Sequence, residues 1–282
     1  LTWESKFSTN VGFDLGFFSN RINLTFDYYN DVTKDLIMEV QLPSNAGYSS
    51  QYQNLGQTTN RGVELSLNAN LVQTKDFYLD FNFNIAFNKN KVDALYGANG
   101  DEMILSGGGT ETGSDNYRVF VGQEVGLMYG YVSDGMYSFD DFTFNPTTKK
   151  WDIVTTKDEN GVPIVTDCSG VLSRAGGYFG PGHMKLKDLN GDGVIDADND
   201  RKVIGHALPK HTGGFSFNAG WNGFDVTAMF NWSYGNDILN TNIRYEQTPS
   251  RQAGNLRKDA YYNAWTPENR SNLYPSSTSN VK

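Results

Sequence analysis

The stretch Phe215-Ser-Phe-Asn-Ala-Gly-Trp-Asn-Gly-Phe-Asp-Val-Thr-Ala-Met-Phe-Asn-Trp232 is apolar at every second position on both sides of a two-residue turn. Phe215, Phe217, Ala219 and Trp221 lead into Asn222-Gly223; Phe224, Val226, Ala228, Phe230 and Trp232 lead out. Side chains on a strand alternate between faces, so each arm presents one apolar face. Asn-Gly accepts two successive positive φ angles, as a type I′ hairpin turn requires. The stretch therefore predicts an antiparallel hairpin. From Phe224 to Trp232 it spans roughly 26 Å at about 3.3 Å per residue, or about 20 Å after a tilt near 40°. That approaches the apolar band, about 25 Å tall, of an outer-membrane barrel.

The same design occurs twice more. Phe7, Thr9, Val11, Phe13, Leu15 and Phe17 form one face and Lys6, Ser8, Asn10, Gly12, Asp14 and Gly16 the other; after a turn at Ser19-Asn20, Ile22, Leu24, Phe26 and Tyr28 resume the apolar side. Val63, Leu65, Leu67, Ala69 and Leu71 precede a turn at Thr74-Lys75-Asp76, and Phe77, Leu79, Phe81, Phe83, Ile85 and Phe87 follow it. These apolar faces carry no charge, whereas the opposite faces are mostly Asn, Ser, Thr, Gly, Asp and Glu. Lipid outside and water inside account for that split. Aromatic residues sit at the strand ends, where membrane girdles belong. A soluble β-sandwich also alternates, but its strands are usually about 5–6 residues long and its wet faces richer in Lys, Arg and Glu.

Between the hairpins, residues 30–61, 90–210 and 234–282 hold most of the Gly, Pro and acidic residues. Short turns at one end and long segments at the other match the periplasmic and extracellular sides of a bacterial barrel. The reading is an all-β chain, part of an antiparallel transmembrane β-barrel with long extracellular loops; residues 1–282 belong to one barrel domain and 90–210 form a long loop region. Extra strand pairing is expected at 36–40 and 127–137. The start at Leu1, already in strand-like sequence, leads us to expect that the natural N-terminus lies upstream.

Composition excludes several classes. With 23 Lys and Arg against 32 Asp and Glu, the net charge of -9 offers no basic cluster for nucleic acid. Cys168, the single cysteine, forms no internal disulfide and reads as a lone thiol in a loop. No run of 18 apolar residues encodes a transmembrane helix. G-x-S-x-G and H-E-x-x-H are missing, His183, His206 and His211 lack metal-ligand spacing, and Gly107-Gly108-Gly109 reads as a flexible loop. An enzyme is not expected.

One local motif carries chemistry. In Asp188-Leu-Asn-Gly-Asp-Gly-Val-Ile-Asp196, oxygen-bearing side chains stand at positions 1, 3 and 5 (Asp188, Asn190, Asp192), Gly193 at 6 allows the sharp turn, and Val194 at 7 offers its carbonyl. This is the first half of an EF-hand-type calcium loop. Asp196 stands at position 9. Position 12 is Asn199, so the closing acid is displaced to Asp200 or, as second choice, Asp198. No helical pattern flanks it; the expectation is a structural calcium ion pinning an extracellular loop at 188–200.

Several longer segments carry a resemblance. Arg118-Val-Phe-Val-Gly-Gln-Glu-Val-Gly-Leu-Met-Tyr-Gly-Tyr-Val-Ser-Asp-Gly-Met-Tyr137 resembles the pattern VGxPxGxxYGYxxDGxY, and Pro181 to Asp196, followed by Asp200-Arg201 and Ile204-Gly205, resembles PGDxKYxDxNGDGxIDxxDRxxIG. Tyr28-Tyr29-Asn30-Asp31, Asn60-Arg61-Gly62-Val63-Glu64 and Ser233-Tyr234-Gly235-Asn236-Asp237 are similar to further signatures. All belong to the SusC/RagA group of TonB-dependent outer-membrane transporters of Bacteroidota. His183 replaces the acid of the family's PGD motif, which puts a role for that side chain in doubt. The resemblance covers the later part of a member, without the plug or the final strands, and implies a plugged barrel of about 22 strands. It further implies TonB-driven import of oligomeric glycans or peptides beneath a SusD-like lipoprotein. Tyr117, Tyr129, Tyr131 and Tyr137 are then candidates for stacking on an oligosaccharide, with packing inside the loop as the competing role. The alternative to import is a secreted or surface calcium-binding β protein that acts as an adhesin.

Overall fold

A computed structural model describes residues 1–41, 45, 47–95, 102–105, 116–154, 159, 161, 165–172, 179–240, 243, 246–247 and 255–276. The chain divides into two compact units. The first comprises Leu1–Gly108, Gly113–Met128 and Gly205–Ile238. Its centre is an antiparallel sheet of β1 (Ser5–Phe17), β2 (Ile22–Lys34), β3 (Gly56–Gln73), β4 (Phe77–Leu95), β5 (His211–Trp221) and β6 (Phe224–Tyr234). They lie side by side in chain order, an open meander with β1 and β6 at its edges. All three expected hairpins form.

The turns follow from local backbone preferences. Asn222 and Gly223 both take positive φ, 46° and 84°, and pair Trp221 with Phe224 as a two-residue loop must. At the first turn three residues, Phe18, Ser19 and Asn20, share the left-handed region. At Thr74 the hydroxyl donates to the Phe77 carbonyl and accepts from the Phe77 N–H, at 3.0 and 3.1 Å, closing the turn.

Register puts like residues on like faces. Phe13 pairs with Phe26, Phe81 with Phe217 and Phe215 with Phe230, and their rings approach at 5.1, 5.0 and 4.8 Å. Such cross-strand aromatic pairs stabilise a sheet by about 0.2–1 kcal/mol each. Even so, many of these side chains stay open: Phe224 is 73% exposed and Phe230 52%. A water-facing sheet would not leave so continuous an apolar face uncovered. Met229 is an apolar exception on the opposite face, where it too is exposed. No helix among the described residues is long and apolar enough to cross a membrane.

The other face is polar and interlocked. Thr25 donates to Asp14 at 2.6 Å, Tyr29 to Asn88 at 3.0 Å, Asn70 to Asp80 at 2.8 Å, Asn82 to Ser216 at 3.2 Å and Thr227 to Asn218 at 3.0 Å. Two glycines are placed by close approach. The Tyr78 ring lies where a Cβ on Gly220 would stand, and the Tyr29 hydroxyl does the same at Gly62. A large residue thus covers a small one on the neighbouring strand.

β3 and β4, at 18 and 19 residues, continue well past the apolar band. Bulges between Gln57 and Thr58 and between Asn70 and Val72 adjust their pairing. The extended end of β4 is joined by the chain at 122–123: Val92 donates to the Gln123 carbonyl at 2.8 Å and Gly122 to the Val92 carbonyl at 2.7 Å. Residues Gly113–Met128 fall in this first unit. The expected pairing at 36–40 is present as Ile37–Gln41 with Ser50–Asn54. In the 127–137 segment, strands occur at Leu127–Tyr131 and Ser133–Met136.

The second unit comprises Gly109–Thr112, Tyr129–Ile204 and Leu239–Lys282. It has its own aromatic core: Tyr137, Phe142, Cys168, Phe179, Leu186 and Ile195 are buried together. Met136 and Trp265 form a second cluster with Phe139 and Met184. Short strand pairs, Ser133–Met136 with Met184–Leu186 and Phe142–Asn145 with Lys150–Ile153, hold it. Cys168 is the lone loop thiol that the sequence suggests, and the fold encloses it. Its thiol is fully buried, accepts from the Leu186 N–H at 3.4 Å, and is pushed up in pKa by burial, so it is a poor nucleophile.

Candidate functional site

Two surfaces hold the candidate residues. The first is the polar face of the sheet, where Ser8, Asn10, Tyr29, Asp31, Asn60, Glu64 and Asn88 line a groove of about 540 Å3. Every lining side chain donates or accepts hydrogen bonds and none is aliphatic, which suits a hydrated passage.

The second is the loop at 188–200. Asp188 Oδ1 accepts from the Gly191 N–H at 2.6 Å and Oδ2 from the Gly193 N–H at 2.7 Å. Asn190 Oδ1 accepts from Asp192 N–H at 3.1 Å, and Asp192 Oδ1 from Val194 N–H at 2.8 Å. Each side chain therefore wraps the backbone that follows it. Gly191 and Gly193 permit this tight winding at φ of 81° and 84°. Asp167 then fixes the loop from outside: its N–H donates to the Gly193 carbonyl at 2.8 Å and its carbonyl accepts from Ile195 N–H at 2.9 Å.

Of the two candidates for the closing acid, Asp200 is completely buried and Asp198 is exposed. Asp200 Oδ1 accepts from Leu189 N–H at 2.9 Å and Oδ2 from Asp196 N–H at 2.8 Å, so one carboxylate ties the start of the loop to its end. No cation among the described residues pairs with it. Asp196 accepts from Asn199 and Asp198, and these bonds, the Asn199 N–H first, hold its carboxyl below the usual carboxylate range. Among the described residues no three His, Cys, Asp or Glu side chains converge on one metal-sized point. The Asn190 amide oxygen and the Val194 carbonyl are the remaining donors, and carboxylate oxygens that accept one N–H keep a lone pair. An all-oxygen set of this kind fits calcium.

The aromatic candidates separate. Tyr129 and Tyr131 share one side of their strand, with the Arg201 guanidinium 5.6 and 6.0 Å from the two ring centroids. Tyr131 has its hydroxyl pushed up by burial. Tyr117 is half-buried in the first unit, on the short strand Tyr117–Phe120. Tyr137 has no exposed surface; Phe142 and Phe179 pack on it edge-on at 5.2 and 5.3 Å, and its hydroxyl donates to the Thr166 carbonyl. Burial raises its pKa strongly, and the ring serves packing instead of stacking on a ligand. His183 is likewise buried, with Nδ1 3.1 Å from the Gly180 carbonyl and its ring against Phe179. Sequence reading passed over Trp151 and the half-exposed Phe144, whose rings meet at 5.1 Å. Only their alternation within Phe142–Ile153 hinted at a shared face.

Comparisons with known proteins agree on one group. Residues 1–267 match the family described as TonB dependent receptor-like, beta-barrel. TonB-dependent receptor P39 of Formosa agariphila is 32% identical over 98% of this chain and 26% of its own length. TonB-dependent receptor SusC of Bacteroides thetaiotaomicron is 30% identical over 70% of this chain and 16% of its own length. Among solved structures, the RagAB peptide transporter matches all of this chain and 27% of its own with a TM-score of 0.70 at 23% identity, a likeness of fold. The chain thus spans about a quarter of the relatives it matches over its whole length.

Proposed function

The chain belongs to the TonB-dependent receptor β-barrel family and forms part of an outer-membrane barrel, and on that premise we propose that the whole protein imports oligomeric nutrients, glycans or peptides, across the outer membrane. The observation that carries the reading is the six-stranded meander with an apolar outer face and a hydrogen-bonded polar inner face. A polar lumen offers an oligomer replacement hydrogen bonds for those it leaves in water. A SusD-like surface lipoprotein would act as the lid over the extracellular loops, and TonB would supply energy through other parts of the protein. Tyr129 and Tyr131, with Tyr117, are the aromatic groups we assign to ligand contact. Deleting the full-length gene and supplying single oligomeric glycans or peptides as sole nutrient tests the reading. Growth should fail on one class and return with the intact gene; unchanged growth on every class removes the import reading.

Within the loop, we propose that Asp188, Asn190, Asp192, Val194 through its carbonyl, Asp196 and Asp200 hold a structural calcium ion. When bound, the ion would balance the buried Asp200 charge, which otherwise has only N–H donors. In the full-length receptor, a chelator should expose the 188–200 segment to protease and calcium should protect it again. Equal cleavage with and without calcium would remove the metal while leaving import untouched.

A further inference from the structure

The register of β2, β3 and β4 lines up a row of side chains at the extracellular margin of the apolar face. Tyr28 pairs with Val63, and Val63 with Phe87; the Phe87 ring lies 5.5 Å from His211, which stacks at 5.0 Å on Tyr234. This is the aromatic margin of the lipid-facing band. Two residues further along, about 7 Å, the same face presents Arg61 directly opposite Lys89. Lys91 follows on the same strand, and Lys210 lies over Gly235, beyond Tyr234. With Tyr28, Val63 and Phe87 these cations line a crevice of about 1250 Å3.

The pairing of Arg61 with Lys89 needs a cause. Like charges directly opposite in a sheet, with Cβ atoms about 4.5–5.5 Å apart, repel. Among the described residues neither side chain forms an ion pair, nor does Lys210. Two acids, Glu124 and Asp237, also line the crevice, both bonded to His206, and the cations outnumber them. Lys91 is 3.1 Å from Asp93, Glu124 is 2.6 Å from His206 Nδ1, and Asp237 accepts from the His206 N–H at 2.8 Å. Four cations collected at one spot of a chain with net charge -9 are not a product of bulk composition.

We propose that this crevice binds the phosphate groups of an outer-leaflet glycolipid of the lipopolysaccharide class. A bridging phosphate removes the repulsion between Arg61 and Lys89, and Arg offers it a planar pair of N–H donors. The lipid source is favoured over a free anion because Tyr28, Val63 and Phe87 of the apolar face line the crevice together with the cations. An acyl chain would run along that face while its phosphate sits at the headgroup depth of the cations.

The test uses the intact full-length receptor, purified in mild detergent and examined by native mass spectrometry after exchange into added lipid. The probes are lipid A carrying its phosphates, dephosphorylated lipid A, and inorganic phosphate. The double variant Arg61→Gln/Lys89→Gln should retain phosphorylated lipid A at least about tenfold less than wild type. Lys149→Gln/Lys150→Gln, which removes equal charge elsewhere, should retain it fully. The swap Arg61→Lys/Lys89→Arg keeps both charges and should keep binding, which separates lost recognition from a misfolded barrel. Equal retention by the neutral double variant, or equal binding of dephosphorylated lipid A, overturns the proposal. So does full displacement of the lipid by inorganic phosphate, which would mark a free-anion site.

Discussion

Placing an arginine at successive positions of β5 should trace the bilayer along the strand. β5 has 11 residues, His211 to Trp221, with its midpoint at Ser216. Its ten steps of about 3.4 Å give about 34 Å, or about 26 Å along the membrane normal at a tilt near 40°. Phe217 therefore lies within about 3 Å of the midplane on the outer face, packed on Phe81 at 5.0 Å. Trp221 lies on the same face at the short-turn margin, about 13 Å from the midplane, and Ser216 is central but faces inward. An arginine in the bilayer centre costs about 2–4 kcal/mol, falling to about 0–1 kcal/mol near the interface. Phe217→Arg should thus lose about 3 kcal/mol relative to Phe217→Ala, more than a hundredfold in the folding equilibrium. Trp221→Arg should lose about 1 kcal/mol or less relative to Trp221→Ala, and Ser216→Arg, reaching water in the lumen, should lose little. The assay is urea titration of the full-length receptor refolded into liposomes, read by heat-modifiable gel mobility. Equal losses at Ser216 and Phe217, or a larger loss at Trp221 than at Phe217, would refute the assignment of faces and depth.

Gly220→Val should reduce assembled receptor by forcing the Tyr78 ring out of its place over the strand, at about 1–3 kcal/mol, and Tyr78→Ala in the same chain should recover part of the loss; no recovery would mean the contact is not the cause. Ile195→Ala should cost the second unit about 2–5 kcal/mol, because Ile195 is 2% exposed in its core, and hydrogen exchange should rise around Tyr137 and Leu186 while the sheet strands stay protected. The carboxyl of Asp259 is held below its ordinary range by the Arg257 guanidinium first and the Tyr274 hydroxyl second. A carboxylate with a lowered folded pKa adds stability above its unfolded pKa and loses it as pH falls through the folded one. Protease sensitivity near Lys258–Tyr262 should therefore rise as pH drops below the usual carboxylate range, and Asp259→Asn should flatten that response.

The strands, turns and faces were legible in the sequence because each depends on neighbours in the chain. Successive side chains point to opposite faces of a strand, so alternation at Phe215 to Trp232 states its own geometry, and Asn222-Gly223 states its own turn. The winding of Asp188 to Val194 is local in the same sense: each oxygen bonds an N–H two to five residues away. Tertiary structure decided everything that needs a distant partner. Tyr129 and Tyr137 look alike in the chain, yet one lies under Arg201 and the other is enclosed by Phe142 and Phe179. Asp200 and, as second choice, Asp198 both flank the closing position in the chain, and folding buries only Asp200. Arg61 and Lys89 stand 28 positions apart and become opposite neighbours only through the register of β3 and β4. Period and turn chemistry act over a few residues and leave a pattern in the chain, whereas burial and pairing act through space and leave none.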